Sequence, residues 1–312
     1  MSNEEKINEL QEILREDSEN YRARRELALL LIDNGYAKEA IQHIAYLLTK
    51  FPEDEELYYN LGIAYEKEKL FEDAKTAYLK AIDLSENNYD AIYNLGLVYT
   101  ELKDFEKGIE CFSKVISSDI EDSNSYFNLG LCYLKTGNLV KAFENFQNTI
   151  DINDNDIYAH FYMGNILFQV EDYEDAKDEF NKVIEISPDY SWAYYNLACI
   201  AFEEGDYESV SKNLDKTIEL NPKDENAYIN YAKLLTKLEM YTEAKTVMDA
   251  CIQNCQNVGQ LNYYAAQIAK IENNSQDYVK YLNEAIINKD TLALDVYKVM
   301  AELEKFNDSE LT

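Results

Sequence analysis

Five asparagines, Asn60, Asn94, Asn128, Asn196 and Asn230, recur at intervals that are multiples of 34 residues. A carboxamide carries both N–H donors and a C=O acceptor. A row of them at fixed spacing can therefore satisfy the backbone groups of an extended peptide whatever its side chains. Tyr162 and Tyr264 interrupt the row. The position just before it reads Tyr59, Tyr93, Phe127, Phe161 and Tyr195, then Ile229, with Phe168 and Trp192 nearby in sequence. Such a run offers an apolar floor for a ligand's aromatic or aliphatic side chains. All four arginines, Arg15, Arg22, Arg24 and Arg25, fall near the N-terminus. Arg22 and Arg25 are placed to bind a carboxylate or phosphate bidentately, or to balance Glu16, Asp17 and Glu19 on neighbouring turns, and both readings stay open.

Other chemistries find no support in the residue pattern. The two histidines, His43 and His160, stand in no metal or nucleophile arrangement, and the phosphate-cradling GxGxxG and GxxxxGK[ST] and the nucleophile elbow GxSxG are missing. Five cysteines, Cys111, Cys132, Cys199, Cys251 and Cys255, form an odd set without paired metal spacing. Cys251 and Cys255 lie one helical turn apart, yet no histidine accompanies them, so we expect small buried hydrophobes. The run from Asp151 to Asp156 resembles the start of a calcium loop. It carries Asp156 where that loop needs glycine and Tyr162 where it needs a bidentate glutamate. The expectation is a protein with no catalytic residue, no metal and no cofactor.

The elements that must hold these residues follow from the period. Gly62, Gly96, Gly130 and Gly164 step by 34, as do Pro188 and Pro222, and Gly35, Gly137 and Gly205 share a second track. Within one period, Tyr58, Leu61, Gly62 and Tyr65 fall at i, i+3, i+4 and i+7, one face of a first helix. Ala74, Tyr78 and Ala81 do the same on a second, and Lys69 and Leu70 lie in the turn between them. Hydrophobic residues make up 46% of 312, enough for a core, while nine glycines and three prolines leave little room for loops. A formal net charge of −31 disfavours nucleic acid and anionic lipid and favours neutral or basic partners. With no long apolar run and a charged N-terminal stretch, we expect a cytoplasmic protein with no membrane contact.

Leu61-Gly62 with Tyr65, then Ala74, Tyr78 and Ala81, and a closing proline at Pro188 and Pro222, resemble the tetratricopeptide repeat. The resemblance runs over nearly the whole chain and implies an all-α fold, a right-handed α-α superhelical solenoid of helix-turn-helix units. Residues 1–20 are expected as an N-terminal capping half-repeat. Eight repeats are expected at 21–54, 55–88, 89–122, 123–156, 157–190, 191–224, 225–258 and 259–290, followed by a C-terminal capping helix and tail at 291–312. Within 291–306, Leu292, Val296, Val299, Met300 and Leu303 are expected on one apolar side.

The resemblance also implies a concave groove lined by first helices, with the asparagines and the aromatic row facing it. The asparagine row is similar to the ladder in the repeat domain of O-linked N-acetylglucosamine transferase. A chaperone-tail clamp of the family is not implied, because Leu29, Asp90 and Asn94 stand at three of its five places beside Arg25 and Asn60. The reading reached is a non-enzymatic adaptor holding an extended protein or peptide segment. A structural scaffold that assembles a complex through its convex face or terminal helices is the alternative.

Overall fold

The computed structural model describes residues 2–310, which are α-helical throughout and contain no strand. Residues 1–159 and 160–312 gather into two compact units, with the division inside one helix. The N-terminal unit holds α1 (Asn3–Glu16), α2 (Tyr21–Asp33), α3 (Ala37–Leu48), α4 (Glu55–Lys67), α5 (Phe71–Leu84), α6 (Tyr89–Glu101), α7 (Phe105–Ser118), α8 (Ser123–Lys135) and α9 (Leu139–Ile152). Helix α10 (Ile157–Gln169) contains the division. The C-terminal unit continues with α11 (Tyr173–Ile186), α12 (Ser191–Glu204), α13 (Tyr207–Leu220), α14 (Glu225–Lys237), α15 (Tyr241–Asn254), α16 (Val258–Ile271), α17 (Ser275–Ile287), a 3-10 turn (Lys289–Thr291) and α18 (Val296–Glu310).

Both ends of the hairpins are set by short-range chemistry. Asp54, Asn88, Asp122 and Asp224 cap α4, α6, α8 and α14 by accepting a backbone N–H three residues on. After each first helix one residue turns into the left-handed region: Gly35, Lys69, Lys103, Gly137, Glu171, Gly205, Glu239 and Asn273, again at steps of 34. The next N–H then reaches back five residues, as from Leu70 to the Tyr65 carbonyl at 2.9 Å and from Asn138 to Tyr133 at 2.8 Å. This closure ends the helix and reverses the chain within two or three residues.

The caps differ in one telling detail. Asp122 also accepts from the buried Ser125 hydroxyl at 2.6 Å, whereas Asp224 faces Ala227 and its buried Oδ2 has no partner. Ala227→Ser supplies the missing donor. We expect it to raise the stability of the C-terminal unit by about 1 kcal/mol in denaturant unfolding, with no gain if the new hydroxyl turns elsewhere.

A single size rule governs how the two helices of a hairpin meet. A Cβ built on Gly62 would lie 2.4 Å from the Tyr78 ring, and one on Gly96, Gly130 or Gly164 would lie 2.8 Å from Phe112, Phe146 or Phe180. Where the first helix carries alanine instead, at Ala28, Ala198, Ala232 and Ala266, the corresponding second-helix residue is Ile44, Leu214, Met248 or Leu282. Ring with glycine and aliphatic with alanine are the two pairings found at this contact, because the larger side chain needs the smaller neighbour. All eight of these second-helix side chains are buried.

First helices also touch one another, α2 with α4, α4 with α6 and α6 with α8, so their outward side chains form a continuous face in the N-terminal unit. At the other end, α18 begins at Val296. Val299 is buried and Leu303 and Phe306 pack against α16 and α17, but Met300 is exposed rather than part of the apolar side. The charged side of this helix explains the difference: Glu302, one position before Leu303, turns inward to the end of α16.

Candidate binding face of the first helices

The aromatic row is half-buried and held from below. Tyr93 lies edge-on to Phe112 at 5.6 Å and 67°, Phe127 meets Phe146 at 5.6 Å, Tyr59 meets Tyr78 at 6.0 Å, and Phe161 meets Phe180 at 6.0 Å and 61°. In α12 the pattern changes, because Leu214 offers no ring. Tyr195 instead meets Trp192 at 6.1 Å and 78°, and Trp192 is 45% exposed. In each unit these residues form a partly exposed apolar floor.

The asparagines are not the unengaged amides that the sequence suggests. The Asn94 Nδ2 donates to the Tyr59 hydroxyl at 3.4 Å, Asn128 to Tyr93 at 3.0 Å, and Asn230 to Tyr195 at 2.8 Å. Each bond joins an asparagine to the tyrosine of the preceding repeat, 35 positions earlier. Asn128 also donates to the Asn124 carbonyl at 2.8 Å. Asn196 has Phe161 at the preceding position, which lacks a hydroxyl, so it donates to the Trp192 carbonyl of its own helix at 3.0 Å. Asn60 has Arg25 there and makes no side-chain hydrogen bond among the described residues.

The amide N–H groups of Asn94, Asn128 and Asn230 thus tie neighbouring first helices together. The Oδ1 atoms of Asn94, Asn128, Asn196 and Asn230 accept nothing among the described residues, and none is buried without a partner. What each unit offers a ligand is chiefly a pair of acceptors whose amides are held by hydrogen bonds, Asn94 with Asn128 and Asn196 with Asn230. Burial raises the Tyr59 and Tyr93 hydroxyls above the ordinary tyrosine value, and burial with Cys199 and Asp224 nearby takes Tyr195 to about 12. All three stay protonated at neutral pH, keeping each hydroxyl able to donate outward while accepting the amide.

The arginines have found partners other than the acids considered above. Arg25 pairs with Asp54, the cap of α4, and lies over the Phe51 ring at 5.1 Å. Arg24 contacts His43 at 3.2 Å and covers Tyr46 at 4.1 Å. Arg22 is exposed. An anion binding at Arg25 competes with Asp54, whose carboxyl is drawn below its ordinary value because the Arg25 and Leu57 hydrogen bonds outweigh burial.

The histidines and several of the thiols have structural neighbours. His160 is buried against Glu179 at 2.6 Å. The five thiols are unpaired by disulfides, and burial raises Cys111 to about 12 and Cys132 to about 11, so they are protonated and weakly nucleophilic. Cys251 and Cys255 approach to 3.9 Å inside the core. Asp156 accepts from the Ala159 N–H at 2.9 Å, capping α10. Among the described residues, no three acids, histidines or cysteines cluster as a metal site, and no helix is long and apolar enough to cross a membrane.

Sequence reasoning missed the tyrosine-to-asparagine bonds, although the signal was there. Each of Asn94, Asn128 and Asn230 follows a repeat whose preceding-row residue is tyrosine.

Comparison with known proteins places these features in context. Tetratricopeptide repeat models match residues 7–55, residues 55–88, 89–119 and 225–257, and residues 179–209. A model described as anaphase-promoting complex, cyclosome, subunit 3 matches residues 109–183. No curated protein matches the chain. Among solved structures, a tetratricopeptide repeat protein from Parabacteroides merdae is 15% identical, with 81% of this chain and 98% of that one covered and a TM-score of 0.59. YrrB, described as a TPR protein with an unusual peptide-binding site, is 24% identical over 59% of this chain and 95% of its own, with a TM-score of 0.51. A MamA RS-1 double mutant is 24% identical over 55% and 96%, with a TM-score of 0.53. At these identities the likeness is one of fold.

Proposed function

The chain is a tetratricopeptide repeat protein, and from that premise we propose that it is a non-enzymatic adaptor which holds an extended protein segment against its first helices. The observation that carries this reading is the recurrence in each unit of asparagine acceptors bordered by half-buried rings, with Asn94, Asn128 and Asn230 held by the tyrosine hydroxyls of the preceding repeat. Backbone N–H groups of a ligand donate to the Oδ1 atoms, and its side chains rest on the ring edges. Pre-ordered side chains lose little conformational entropy on binding, which favours affinity at modest contact area. The net charge selects for neutral or basic segments at a distance. The same repeat type in YrrB, a protein described by its peptide-binding site, is in keeping with a peptide ligand.

The test combines Asn94→Ala, Asn128→Ala and Asn196→Ala in one protein. With helicity checked by circular dichroism, the variant should lose at least tenfold in affinity for a partner first captured from the native cell by the unaltered protein. Undiminished capture by a folded variant moves the binding surface to the second helices or the chain ends and makes the protein a scaffold instead.

A further inference from the structure

In the C-terminal unit an open cavity of about 470 Å³ lies between α12, α13 and α14, walled by Tyr195, Ala198, Cys199, Val210, Leu214 and Leu234. It arises where the size rule changes: Leu214 stands at the position that Tyr78, Phe112, Phe146 and Phe180 fill in the four preceding repeats. Two lysines of α14, Lys233 and Lys237, border it, with Glu203 as the acid among its lining residues. Lys233 is itself a departure, since the same position of the earlier repeats reads Leu29, Ile63, Leu97, Leu131, Asn165 and Cys199.

The two cations are placed differently. Lys237 is steadied by the Tyr207 hydroxyl at 3.0 Å and lies over the Phe202 and Tyr207 rings at 5.0 and 5.2 Å. Lys233 is exposed and makes no hydrogen bond or ion pair among the described residues. A second apolar cavity, of about 490 Å³, opens against Ile229, Met248 and Ile268 and shares both lysines. The positive pair is thus bordered by apolar cavities on both sides, where a carboxylate gains more than it does in open water.

We propose that this cavity is an anchor subsite for a peptide in which a bulky apolar side chain stands next to an acidic residue. The apolar side chain fills the space left by Leu214, and the carboxylate pairs with Lys233 and Lys237. The assignment rests on the first-helix face being the binding surface. It adds a local acidic requirement that the overall charge does not suggest. Screening explains how both hold: at physiological salt, charges beyond about 8 Å count for little, so the nearby lysines decide. Burying a phenylalanine or leucine there removes its apolar surface from water, enough to discriminate at least tenfold against a polar residue.

The experiment measures fluorescence anisotropy of a labelled Gly-Ser-Phe-Glu-Ser-Gly peptide and of its Phe-to-Ser, Glu-to-Gln and Glu-to-Lys forms. The parent peptide should bind at least tenfold more tightly than each of the others. Filling the cavity with the pair native to the third repeat, Ala198→Gly with Leu214→Phe, should weaken the parent at least tenfold. The surface pair Lys233→Glu and Lys237→Glu should do the same to the parent while changing the glutamine form less than twofold. That second variant leaves the core untouched and keeps the test decisive if the first folds poorly. Equal binding of all four peptides, preference for the lysine form, or full binding by the lysine-reversed variant overturns the subsite. In those cases a loss of capture in the asparagine triple variant still supports the face as a whole. Absence of any peptide binding overturns the subsite alone.

Discussion

Gly130→Ala should destabilise the N-terminal unit by about 1–3 kcal/mol, and Phe146→Leu should restore part of the loss. A methyl on Gly130 would sit 2.8, 3.0 and 3.1 Å from ring atoms of Phe146, whose side chain is fully buried and has nowhere to retreat. Overfilling a dense interior in this way carries a cost of that size. Phe146→Leu alone should cost about 1–2 kcal/mol through the space it leaves. The two together recreate the alanine with leucine pairing found at Ala198 with Leu214 and at Ala266 with Leu282. The double variant should therefore lie above the sum of the singles by about 1 kcal/mol or more. Denaturant unfolding of all four proteins, followed by helical signal, gives the cycle. Strict additivity would mean that the glycine and the ring are not the coupled pair that positions the two helices.

The same coupling links the interior to the binding face. A ring against glycine supports the floor residue above it, as Phe112 supports Tyr93, and an aliphatic side chain against alanine leaves space there, as Leu214 does beside Tyr195. In these two repeats the core pair differs together with the surface above it: Gly96 with Phe112 lies under a ring contact, and Ala198 with Leu214 under an open cavity.

Much of this was legible in the sequence because a 34-residue repeat writes the same physical requirement many times. The glycine track marks close approach, the second glycine track falls on the left-handed residue after each first helix, and the aromatic row falls where a ring can lie on the next helix. What escaped was relational. The amide of Asn128 looks available until the Tyr93 hydroxyl is seen one repeat back, and Arg25 looks available until Asp54 is seen capping the following helix. A search for function in single positions treats each polar group as unoccupied, whereas folding pairs most of them. The cavity beside Leu214 was hidden for the same reason. Its signal is the joint change at positions 198 and 214, with Lys233 on the first helix of the next repeat.

At the C-terminal end, Glu302→Ala should cost about 1–3 kcal/mol and loosen the final helices together. Glu302 of α18 accepts from the Tyr278 hydroxyl at 2.7 Å, Lys270 at 2.9 Å and Gln267 at 3.3 Å. Tyr278 is buried, its ring 4.8 Å from Phe306, so removing its acceptor leaves a hydroxyl without a partner in the interior, which is the larger part of the penalty. Hydrogen exchange should therefore accelerate in α16, α17 and α18 at once and not in α12 or α13; unchanged exchange would show that α18 stays in place without this carboxylate. Burial alone would raise the Glu302 pKa, but the hydrogen bonds from Lys270, Tyr278 and Gln267 hold it below the ordinary value. A carboxylate lowered on folding stabilises above its unfolded pKa, about 4.3 for glutamate, and that contribution is lost as pH falls through the folded value. Glu302→Gln keeps an acceptor for Tyr278 while removing the charge. Its stability deficit against the unaltered protein should be full at pH 7 and should shrink towards zero on acidification through the folded value, because the native side chain is then neutral as well. A deficit of constant size across that range would make the contribution of Glu302 one of shape alone, and α18 would be held by Val299, Leu303 and Phe306 without help from its charge.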